Sequence, residues 1–146
     1  MLRLSKLTDY GMLLMSQLAS STRPVWKATE LAEATTVPAP TVSKLLQLLL
    51  QHNLLISQRG AHGGYSLSRS AATISVREVV DALEGEIALT ECSGSHSQCA
   101  QQSRCSTRAG WMRINSAVGE LLSSITLADL TQTDAPGNHY QQDDKR

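Results

Sequence analysis

A chain of 146 residues suits one compact domain, or one domain with an appendage. Apolar residues make up 41% of it, phenylalanine is absent, and no apolar run reaches the roughly 18–20 residues of a membrane span, so an aliphatic-cored, non-membrane protein is expected. The formal net charge is zero, but residues 1–69 carry seven Lys/Arg against three Asp/Glu, a balance of +4, and residues 70–146 carry six against ten, a balance of −4; this pairing suggests two functions in one chain. The opening MLRLSKLTDYG lacks the apolar stretch and cleavage site of a secretory signal, which makes a cytoplasmic location the expectation.

Residues 6–20 predict a helix. Leu7, Gly11, Leu14 and Leu18 form one apolar stripe, and Asp9 lies about 200° round from Leu7 on the opposite face. The run SSTRP ends it, because Pro24 disfavours helix at Arg23. Lys27–Thr35 predicts a second, short helix with Leu31 and Ala32 inward. Thr36–Pro40 is a tight connection, and Pro38 or Pro40 fits the first turn of the next helix, where no N–H is needed. That third helix runs to about His52 on Val42, Leu45, Leu46, Leu49 and Leu50, and Asn53 stops it. Leu54–Arg59, a glycine-rich loop over 60–64 and Tyr65–Ser68 predict a β-hairpin. Ser75 and Glu78 form a capping box that opens a helix through Leu83, closed by Gly85. Residues 90–106 are a polar loop. Trp111, Ile114, Val118, Leu121 and Ile125 then follow 3-4-3-4 spacing, the seam of a paired helix. Residues 126–130 add one more turn. The predicted organisation is a DNA-binding unit over 1–84, a cysteine loop and dimerisation helix over 85–130, and a disordered tail over 131–146.

Short helix, tight turn, longer helix and glycine-tipped hairpin is the order of a winged helix-turn-helix, here mainly α with a small β component. Such a unit places the N-terminal residues of its second helix at base edges in the major groove, here Ala39, Thr41, Ser43 and Lys44. A wing tip with Arg59, His62 and the bare backbone of Gly63 can approach phosphates or the minor groove. Arg3, Lys6 and Lys27 add counter-charge. The bland alternative is a small α+β packing unit with glycines serving only the turn. The seam from Trp111 to Ile125 suggests a homodimer matched to a palindromic operator, or else a face that packs on its own chain.

Cys92, Cys99 and Cys105 fall within fourteen residues. Their spacing is not that of a zinc ribbon, and an odd count argues against a disulfide framework. Soft thiolates suit an iron–sulfur cluster, copper(I) or zinc. Three thiols leave a fourth position to Asp9, to His96 or to a small molecule. Zinc on the three cysteines and His96, and three free thiols with no metal, are the competing readings. No nucleophile–base pairing or phosphate loop stands out, so no enzyme and no small-molecule substrate are expected.

The strings KLTDYG, RGAHGGYSLSR, SVREVVDALEG, the three cysteines and ITLADL occur in this order, and as a set over residues 1–131 they resemble the IscR/NsrR family of winged-helix transcription regulators. Within it the chain looks most like regulators of the SUF iron–sulfur assembly system. The resemblance implies a DNA-binding homodimer, a repressor, whose 2Fe–2S or 4Fe–4S cluster is bound by Cys92, Cys99 and Cys105. Some relatives take a fourth ligand from a histidine three residues after the last cysteine, where this chain has Arg108. Others use an acidic residue of the first helix, supplied by the partner, and Asp9 stands there. Several relatives carry glutamate where this chain has Ser43, so their operators are not transferable. A nitric oxide sensor of the same family and a zinc-binding protein-interaction module are the alternative functions.

Overall fold

The computed structural model describes residues 3–95, 99–101 and 103–132. Its first helix, α1 (Lys6–Ser20), is capped by Ser5, whose hydroxyl accepts from the Thr8 N–H at 3.3 Å. Helices α2 (Ala28–Thr35) and α3 (Ala39–Gln51) follow, joined by Thr36, Val37 and Pro38. Thr36 takes a left-handed conformation, φ 56°, and Val37 is buried beneath the turn. The amides of Thr41 and Val42 reach back to the Pro38 carbonyl, so a proline outside the helix starts α3. Asn53 leaves α3 with φ 57°, the left-handed stop its position suggests.

Strands β1 (Leu55–Gln58) and β2 (Gly64–Leu67) pair antiparallel, with Leu55 opposite Leu67 and Gln58 opposite Gly64. Trp26 bonds the free edge of β2: its N–H donates to the Tyr65 carbonyl at 2.9 Å and its carbonyl accepts from Tyr65 at 2.7 Å. Nothing in the sequence pattern marks this third rung, a one-residue bridge across 39 positions.

Helix α4 (Val76–Glu84) opens on the Ser75/Glu78 capping box and ends at Gly85. Helix α5 (Arg108–Ser124) packs on α4, with Gly119 buried beneath the Arg77 guanidinium. Helix α6 (Leu127–Thr131) has its own capping box, Thr126 with Asp129. It turns back: Val76 donates to the Ile125 carbonyl at 2.8 Å, and Leu127 donates to that of Ile74 at 2.9 Å.

The core is aliphatic, as the composition predicts. Leu14, Met15, Leu31, Val42, Leu45, Leu49, Ile74, Val79 and Leu127 are sealed from solvent in one cluster. Burying a leucine or isoleucine fully contributes about 1.5–3 kcal/mol, so these residues dominate the hydrophobic stabilisation. Leu127 lies in the core cluster, where α6 packs on α1 and on residues 71–73, although the sequence groups it with the dimerisation helix. The mainly α, small-sheet architecture is the one expected.

Candidate DNA interface and cysteine segment

Helix α3 buries Val42, Leu45, Leu46 and Leu49, which turns its opposite face to solvent. Ala39, Ser43 and Lys44 are exposed on that face, and Thr41 is half-buried at its edge. Gln47 is exposed too, four residues after Ser43 and three after Lys44. Sequence reasoning passed over it, although helical spacing places it on the same face.

Arg59 and His62 are exposed at the wing tip. Lys27, Gln58, Arg59, Gly63 and Tyr65 line a hollow of 380 Å³ between the wing and the start of α2. Lys44 and Arg59 form no ion pair among the described residues. Arg23, by contrast, is engaged: it donates to Glu30 at 2.9 Å and lies 4.6 Å over the Trp26 ring. The Lys27 backbone N–H, then Arg23, hold the Glu30 carboxyl below its ordinary range. The wing glycines answer to the chain's own backbone. A Cβ at Gly63 would lie 2.3 Å from the Gln58 carbonyl oxygen, and one at Gly64 would lie 2.4 Å from that of Trp26.

Cys92 is buried, while Cys99 and Cys105 are half-buried; all three are free thiols. The Thr90 hydroxyl lies 3.1 Å from Cys92 Sγ. Ser93, also buried, accepts from the Thr90 N–H at 3.0 Å and donates to the Thr90 carbonyl at 2.8 Å. The Thr107 hydroxyl, 3.3 Å from Cys105 Sγ, is the main cause of a thiol acidity above the ordinary, so the Cys105 pKa is lowered; the Thr107 backbone and Arg108 add to it. Among the described residues no three His, Cys, Asp or Glu side chains converge as a ready metal cage. Asp9 is exposed on α1 and lines an open cavity of 680 Å³ with Leu4, Met12, Val76 and Leu130. His96 and residues 133–146 of the predicted tail lie outside the described residues.

The seam of α5 finds little cover on its own chain. Trp111, Ile114 and Leu121 are exposed at 40%, 48% and 60%, whereas Val118 and Ile125 are half-buried. Met112, which the seam did not include, is exposed beside them. No helix among the described residues is long and apolar enough to cross a membrane.

Residues 4–133 match the Rrf2 family, described as iron-dependent transcriptional regulators. The chain belongs to the Rrf2 family. It is 34% identical over 131 residues to protein rrf2 of Nitratidesulfovibrio vulgaris, covering 88% of this chain and 87% of that one. Among solved structures it is similar to IscR of T. potens, at 30% identity and a TM-score of 0.67, covering 88% of this chain and 85% of that one. It is also similar to CymR, the global cysteine regulator of B. subtilis, at 28% identity and a TM-score of 0.72, over 92% of this chain and all of that one. This Rrf2 chain is therefore a winged-helix, DNA-binding transcription regulator of the IscR-like kind and not an enzyme.

Proposed function

We propose that this Rrf2 regulator is a homodimeric, cytoplasmic repressor that reports iron–sulfur or redox status through a cluster on Cys92, Cys99 and Cys105, acting on genes of iron–sulfur assembly. One observation carries the reading: three free thiols share a fourteen-residue segment that leads directly into α5, whose apolar face is open. The donor set fits the group, because soft thiolates suit iron–sulfur clusters and the Cys105 environment favours thiolate. Bound there, a 2Fe–2S or 4Fe–4S cluster supplies an oxidation-sensitive link among its ligands. Exposed Asp9, offered to a second copy, is the proposed fourth ligand; a carboxylate binds less firmly than thiolate and leaves one corner labile.

On DNA, Ala39, Thr41, Ser43 and Lys44 present their edge of α3 to the major groove. Arg59, His62 and Gly63 carry the wing to the phosphates, with Lys27 at the intervening hollow. Trp111, Ile114 and Leu121 bury against a second copy and set the distance between two reading heads. Tying the 92–105 segment would bias that distance, and tenfold in operator affinity needs only about 1.4 kcal/mol of differential stabilisation.

Anaerobic native mass spectrometry tests the reading, since it gives cluster composition and subunit count together. The protein should be a coloured dimer, and Cys92→Ala should abolish its visible absorption. A colourless protein with stoichiometric zinc overturns the cluster. The free Cys105 thiol, 3.3 Å from the Thr107 hydroxyl that helps acidify it, favours a second reading in which the thiols respond directly. That reading requires operator release on thiol oxidation in protein free of iron.

A further inference from the structure

Asn115 is half-buried on α5, in a helix interior where asparagine is a poor helix former. Its side chain has other employment. Oδ1 accepts the Leu89 backbone N–H at 3.0 Å, and Nδ2 donates to the Ile87 carbonyl at 3.1 Å. One primary amide thus satisfies two backbone groups two residues apart. Leu89 runs directly into Thr90, which is tied to Ser93 and whose hydroxyl meets Cys92 Sγ. An unbroken path of hydrogen bonds and backbone thus joins α5 to the buried thiol. Residues 87–89 also line a crevice with Arg3, Leu4 and Val80, so the same segment borders the start of α1.

We propose that Asn115 is a positioning residue: it clasps residues 87–89 to α5, fixes Cys92, and passes the ligation state of Cys92 to the dimer helix. The second half rests on the reading of the cysteines as ligands given above. Without the amide, the Leu89 N–H and the Ile87 carbonyl lose their partner and the segment opens locally.

The test starts on reduced, metal-free full-length protein, with iodoacetamide labelling of each thiol followed by mass spectrometry. In Asn115→Ala, Cys92 should label about tenfold faster, while Cys105 keeps its rate. Asn115→Asp has the same shape, keeps the acceptor for Leu89 and loses the donor to Ile87; it should fall between. Leu122→Ala, half-buried two turns further along α5, removes packing without touching the clasp and should leave Cys92 unchanged. An unaltered Cys92 rate in both Asn115 variants overturns the clasp, as does an equal rise in Leu122→Ala. After anaerobic loading with ferric iron, sulfide and a thiol reductant, Asn115→Ala should lose visible absorbance in air about fivefold faster than the unsubstituted protein. Equal decay overturns the link to ligation. If the unsubstituted protein takes up no cluster, only the ligand reading falls, because the labelling still decides the clasp.

Discussion

The winged head and the segment from Gly85 to Ile125 solve the problem of burial differently. In the head, every helix turns its apolar stripe onto one sealed cluster, and even the turns are pinned, by Val37 below the helix-turn-helix and by Trp26 on the wing. In the second region a 17-residue helix leaves Trp111, Ile114 and Leu121 in water, and three thiols stand within fourteen residues without a metal cage among the described residues. The head is complete within one chain. Under the function proposed above, the other region holds its surface and its donors for a second copy and a bound cluster.

That contrast breaks if core and seam respond alike to truncation. Leu45→Ala in the sealed core should cost about 2–5 kcal/mol in denaturant unfolding. Gly63→Ala drives a methyl into the Gln58 carbonyl; it should cost about 1–3 kcal/mol, and the Trp26 emission should shift as the wing moves. Leu121→Glu lies on the open seam, so unfolding of the monomer should change by less than about 0.5 kcal/mol. Sedimentation should nevertheless show the dimer dissociating; a monomeric unsubstituted protein would remove the seam's proposed role. Lys44→Ala should lower the slope of operator affinity against salt by about 1, because a cation with no ion pair among the described residues is removed from the reading face.

The smallest effect concerns acid. Glu84 accepts from the Ser5 and Thr8 side of α1, and these bonds hold its carboxyl below the ordinary glutamate range. A carboxylate with a lowered folded-state pKa adds stability above the unfolded value, about 4.3, and loses it as pH falls through the folded one. Glu84→Gln should therefore flatten the decline of stability below that pH and leave neutral DNA binding intact. An acid limb of unchanged steepness would refute the assignment.

The head was legible because its signals are local. Leu14, Leu18, Val42 and Leu45 declare helical faces by spacing alone, Ser75 and Glu78 cap each other three residues apart, and Asn53 ends α3 where a left-handed residue is tolerated. Trp26 was illegible, since pairing at a single residue leaves no period. Leu127 was misleading because it continues the apolar run of the seam, yet it is sealed in the core cluster, where α6 packs on α1 and residues 71–73. The Asn115 clasp joins residues 26 and 28 apart through one side chain, and no pattern predicts that. The three cysteines stood out by their spacing, but spacing does not say whether donors meet in space, and no ready cage forms among the described residues.

The return of α6 has a mechanical consequence. Hydrogen bonds at Ile74, Val76, Ile125 and Leu127 rivet the C-terminal end of α5 to the reading head, while its N-terminal end continues from the thiol-bearing segment. The helix is thus a lever with its fulcrum at the head. Over its 17 residues, about 25 Å at 1.5 Å each, a tilt of about 5° carries the free end about 2 Å. In the proposed dimer, a small pull at the thiol end would become torque at the head, where the spacing of two half-sites would be read.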